Sequence, residues 1–176
     1  TSCLVQCRPV RRTQQLNAYT QSDFDNIQLD LDNYLGARRA LIDTMTRKFR
    51  SGASAMEVWR LVATAFGRDQ VKQYLASVAL HDAARKALAK AGLGSSVDVS
   101  LTGIDAPREA RVIIAADPEE TPDYGALPSR VRAALRDFHI TLDLPQGEHG
   151  EVTDDLVDEK FLDGEPIRLV RLKPLT

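Results

Sequence analysis

Between positions 68 and 73 the chain reads Arg-Asp-Gln-Val-Lys-Gln, where every side chain except Val71 carries a charge or an amide. These groups suit the edges of base pairs. An amide pairs bidentately with adenine, arginine or lysine pairs with guanine, and aspartate accepts from cytosine. Arg68, Asp69, Gln70, Lys72 and Gln73 are therefore the candidate readers. With Val71 as the inward point of a helix at about 100° per residue, Asp69, Gln73 and Ala76 point most directly outward. Gln70 and Lys72 flank them, and Arg68 stands at the helix start. A rotation by one position would pass the reading role from Gln73 to Lys72 or Asp69. Arg47, Lys48, Arg50 and Arg60 lie close by in sequence and suit phosphates, which add salt-sensitive affinity without reading sequence.

No rival chemistry emerges elsewhere. His81, His139 and His149 lack metal-ligand spacing, and Cys3 and Cys7 are too few for a closed zinc site or a disulfide scaffold. There is no phosphate-cradling glycine loop and no Gly-x-Ser-x-Gly elbow. The expectation is a non-enzyme with no cofactor and no metal. The carboxylates of 117–123 and 148–163 read as a solvated acidic face.

The elements that would position the readers follow from periodicity. Leu41, Met45 and Phe49 recur every fourth residue, predicting a helix over 38–50 that ends at Ser51-Gly52. Ser54 with Glu57 is a capping-box pattern opening a second helix, with Val58, Leu61, Val62 and Ala65 on its apolar face. Thr64 to Gly67 reads as a turn, with Phe66 plugging the angle and Trp59 as a partly buried anchor. A third helix starts near Arg68, turns Val71, Tyr74, Leu75 and Val78 inward, and runs to Leu88 or Lys90. Residues 1–27 read as a polar arm. The alternation Ile27-Gln28-Leu29-Asp30-Leu31 is strand-like but is interrupted by Gly36.

Gly92, Gly94, Ser95 and Ser96 mark a boundary. Beyond it, strands are predicted at 97–101, 111–115, 140–144 and 167–172, a turn at 105–108, and a helix over 127–138; 154–161 is left without a type. The fold class is α+β: an all-α domain over 1–92, then a small acidic α+β domain over 97–176.

The charge divides similarly. Residues 1–92 hold 14 Lys and Arg against 8 Asp and Glu, while 93–176 hold 9 against 17. One half suits a polyanion, the other is repelled by it. No apolar run reaches the ~20 residues of a membrane span, so no membrane partner is expected. Arg8, Arg11 and Arg12 precede no apolar stretch, unlike a secretory signal. Two unpaired cysteines fit a reducing cytoplasm.

The stretch SAMEVWRLVATAFGRDQVKQYL at 54–75 resembles the helix-turn-helix of bacterial transcription regulators, particularly the alanine- and arginine-rich forms of actinobacteria. Glu57-Val58 and Arg60-Leu61 match the first helix of that pattern, and Arg68, Val71 and Leu75 match the second. Trp59 stands where a small alanine is usual. The turn is longer, with Ala63 where glycine is expected, which points to a widened or winged variant. The resemblance implies a repressor-like regulator that binds double-stranded DNA, commonly as a homodimer. The acidic half would then oligomerise, sense a small-molecule effector or recruit a protein. The alternative is an interaction module, such as an antitoxin or adaptor, whose acidic half docks on a basic partner. An enzyme with an unrecognised site stands behind both.

Overall fold

The computed structural model describes residues 21–105, 110–114, 116–142 and 167–171. The chain divides into two compact units, Thr1–Leu41 and Ile42–Thr176. Helix α1, Gln21–Arg50, begins in the first unit and supplies its last turns to the second. It therefore starts well inside the stretch that reads as an arm. The alternation at 27–31 is part of this helix, and Gly36 sits within it. Local terms explain why. Asp23 lies in the first turn, where the helix dipole favours an anion, and Gln28 donates to Asp32 one turn on at 3.0 Å. An interior glycine costs only about 1 kcal/mol, too little to break a helix of this length.

In the second unit, α1 ends in a Schellman motif. Gly52 is left-handed at φ 102°, the Ala53 amide donates to the Lys48 carbonyl, and the Gly52 amide donates to that of Phe49. Ser54 then caps α2, Ala55–Val62. Its hydroxyl accepts from the Glu57 amide at 3.3 Å, and Glu57 accepts from the Ser54 amide at 2.8 Å. After a turn at 63–67, α3 runs over Arg68–Lys90. Met45, Val58, Val62, Phe66, Val71, Tyr74, Leu75 and Val78 are all buried, so Phe66 does occupy the interior. A buried hydrogen bond of 3.1 Å between the Thr46 and Tyr74 hydroxyls ties the end of α1 to α3.

The sheet has strands β1 Val97–Leu101, β2 Ala110–Ile114, β3 Phe138–Leu142 and β4 Ile167–Arg171, in the order β1-β2-β4-β3 with every neighbour antiparallel. Because β2 and β3 both oppose β4, they run parallel to each other. Their connection carries a 3-10 turn, Tyr124–Ala126, and α4, Leu127–Ala134, with proline tolerated in its first turn. Strand alternation turns Val97, Val99, Ala110, Val112, Ile114, Ile167 and Leu169 into one core with Leu127 and Val131 of α4, Leu135 just after it, and Leu80, Ala84 and Leu88 of α3. Helices on one face of an antiparallel sheet make the fold α+β. Helix α4 stops at Ala134 rather than 138, because Phe138 already opens β3, two residues ahead of the expected strand. The segment 154–161 and Leu144 lie outside the described residues, as do Cys3 and Cys7.

The glycine-rich stretch after α3 is a helix stop inside one unit rather than a boundary between units. Gly92 is left-handed at φ 73°, the Leu93 amide donates to the Leu88 carbonyl, and the Gly92 amide to that of Ala89. This second Schellman motif seats Leu93 and Leu88 together in the sheet core. A Cβ at Gly92 would meet open space, so only the backbone opposes one. Gly92→Ala should therefore cost about 1–2 kcal/mol, read as a lowered urea midpoint with an unchanged m-value.

Candidate nucleic-acid interface

The first turns of α3 present two faces. Val71, Tyr74 and Leu75 are buried, while Arg68, Asp69, Lys72 and Ala76 are exposed. Gln73 is half-buried, so the outward line runs through Asp69, Lys72 and Ala76 rather than through Gln73. The expected inward set, Val71, Tyr74, Leu75 and Val78, stays buried. Gln70 is also engaged: its amide oxygen accepts from the Gly67 amide at 3.3 Å, and its amide nitrogen donates to Asp105 at 2.8 Å. It caps the helix and ties it to the loop after β1. Asp105 carried no signal in sequence, since the tie exists only once β1 lies beside α3.

The candidate phosphate contacts also separate by geometry. Arg47, Lys48 and Arg60 are exposed. Arg47 and Lys48 line an open depression of about 410 Å³ with Thr44 and Ser51. Arg47 donates to the Thr44 hydroxyl at 3.0 Å, and the Ser51 hydroxyl donates to the Lys48 carbonyl at 2.7 Å. Arg50 is held differently. Its guanidinium donates to both carboxylate oxygens of Asp82 on α3, at 2.8 and 2.7 Å. That bidentate hold raises the Arg50 pKa and keeps the Asp82 carboxyl below its ordinary range against the opposing effect of burial. The buried His81 ring lies 2.9 Å from the same carboxylate and adds to the lowering. The Glu57 carboxyl is likewise lowered, by the Ser54 amide that it caps.

Trp59 is half-buried on α2, and its indole N–H is enclosed without an acceptor among the described residues. This matches the expected anchor more closely than a residue offered to a ligand. Among the described residues no group of three or more His, Cys, Asp or Glu could hold a metal. None of their helices is long and apolar enough to cross a membrane. No known family model, curated protein or solved structure matches this chain.

Proposed function

We propose that the protein is a sequence-specific, double-stranded DNA-binding regulator of the helix-turn-helix kind, acting in the cytoplasm, with the start of α3 in the major groove. One observation carries the reading. A short capped helix and a turn support a longer helix whose first turns bury an apolar face and leave Arg68, Asp69 and Lys72 in solvent. The first helix of such a pair braces on the DNA backbone and the second reads base edges. Charge supports the same reading: residues 42–92 hold 9 Lys and Arg against 4 Asp and Glu. Lys72 and Arg68 become the principal base readers and Asp69 a secondary one, with Arg47, Lys48 and Arg60 on phosphates. Gln70 and Arg50 serve to hold α3 in place.

Selection on randomised duplexes tests this assignment. Lys72→Ala should lose about 1–3 kcal/mol at one base position and relax preference there, whereas Arg60→Ala should weaken all sequences alike. Gln73→Ala should change preference less than Lys72→Ala. If the unaltered protein enriches no sequence, the reading fails, and capture of a basic protein through the acidic half becomes the account to pursue.

A further inference from the structure

We propose, on the premise that the start of α3 enters the major groove, that Asp105 determines which side chains read DNA by holding Gln70 off the base edges. Gln70 is the third residue of α3 and belongs to the turn that carries Arg68, Asp69 and Lys72. A bidentate contact to adenine takes both ends of an amide, the nitrogen donating to the ring and the oxygen accepting from the exocyclic amine. In this chain both ends are engaged internally. The amide oxygen accepts from the Gly67 N–H at 3.3 Å, and the amide nitrogen donates to an Asp105 carboxylate oxygen at 2.8 Å. Gly67, at the N-cap of α3, has no side chain to satisfy the open amides, so Gln70 reaches back to one of them. The two holds are unequal. The 3.3 Å contact is neutral and longer than usual, whereas the 2.8 Å contact is charge-assisted and roughly twice as strong as a neutral one. Asp105 therefore supplies most of the restraint.

Asp105 is itself placed by the sheet. It follows Ile104, which is 4 % exposed and pins the loop after β1 to the interior. Strand β1 and helix α3 share one core, so a carboxylate 35 residues away in sequence arrives beside the first turn of the helix. Gln70 lies half-buried against it, while Arg68, Asp69 and Lys72 stay exposed in the same turn. The turn thus offers DNA two cations and a carboxylate and keeps back the one group in it suited to adenine. Release requires no change of backbone. Glutamine is rich in rotamers, and losing the 2.8 Å partner returns that freedom to the side chain.

Selection on randomised duplexes with the full chain provides the test. Asp105→Ala should add a preference for adenine at one base position, about tenfold over the other bases. Combining it with Gln70→Ala should abolish that gain. Asp105→Asn keeps an oxygen that accepts from Gln70 and should retain the unaltered preference, which separates the hydrogen bond from the loss of negative charge. Gln70→Ala alone should leave base preference unchanged and weaken all sequences alike through the lost cap. Asp105 is exposed, so thermal melts of its two variants should stay close to that of the unaltered protein. A merely structural role would move affinity or the melt without adding a preferred base. An Asp105→Ala variant that selects the unaltered motif overturns the proposal and leaves the DNA reading standing. So does a gain that survives removal of Gln70, or an Asp105→Asn variant that behaves as Asp105→Ala does. An unaltered protein that enriches no duplex overturns the DNA reading and the role of Asp105 with it.

Discussion

Raising salt from ~50 to ~200 mM should weaken binding of the full chain to its preferred duplex by several hundredfold, by release of the counterions that the protein displaces. Apart from Arg50, which Asp82 holds, the exposed cations near the start of α3, on α2 and in the last turns of α1 are Arg47, Lys48, Arg60, Arg68 and Lys72. If each neutralises one phosphate, a slope near −0.9 per contact predicts a log–log slope of about −4 to −5 for each copy bound. Fluorescence anisotropy titrations at a series of salt concentrations would give this number. Arg60→Ala should reduce it by roughly one. Arg50→Ala should leave it almost unchanged, because Asp82 already holds that guanidinium through two hydrogen bonds. Asp82→Asn removes half of the clamp and should steepen the slope, as Arg50 is released to solvent. A slope near zero, or an Arg50→Ala effect as large as that of Arg60→Ala, would refute this division among the cations. The full chain is the right material, since a fragment ending at 92 would expose the face of α3 that the sheet covers.

Local signals carried much of this architecture. Ser54 and Glu57 announce the start of α2 because a capping box is made within four residues, and both of its hydrogen bonds form. The strand at 97–101 appears where the apolar period shortens, and β1 spans those residues. The misreadings have a common physical origin, the weakness of local signals beside tertiary ones. In α1, a polar helix, the exposed Ile27, Leu29 and Leu31 mimic strand alternation, and Gly36 reads as an interruption. Gly92 reads as a domain boundary because a Schellman glycine and a linker glycine look alike in one dimension. The difference lies in Leu93, which folds back into the core. At the candidate site, residue types were legible but engagement was not. Gln70 and Arg50 are tied by Asp105 and Asp82, partners over thirty residues away. The half-burial of Gln73 is a product of tertiary packing that helical periodicity alone does not give.

Leu88→Ala should lower the stability of the whole second unit by about 2–5 kcal/mol, a large part of the ~5–15 kcal/mol typical of a domain. Leu88 is 1 % exposed and lies on the sheet side of α3, among Ala84, Leu93 and the inward strand residues. Truncation there removes packed atoms and leaves a cavity that a sheet flanked by α4 has little freedom to collapse. The informative part is where the loss is felt. Val71, Tyr74, Leu75 and Val78 of the same helix belong to the interior shared with α2, while Leu80, Ala84 and Leu88 belong to the sheet core. One uninterrupted helix therefore supplies a wall to both cores, and neither can keep its wall while the other melts. Trp59, the only tryptophan, lies on α2 and reports the helical end. Its fluorescence midpoint in urea should fall by about 1–3 M in Leu88→Ala, together with the far-ultraviolet dichroism. Separate folding of residues 1–92 and 97–176 would leave the Trp59 transition at its original midpoint while the sheet melts early. Coincident transitions would mean that α3 holds the helical end and the sheet in one cooperative unit, so that a sheet mutation weakens the scaffold beneath Arg68 and Lys72.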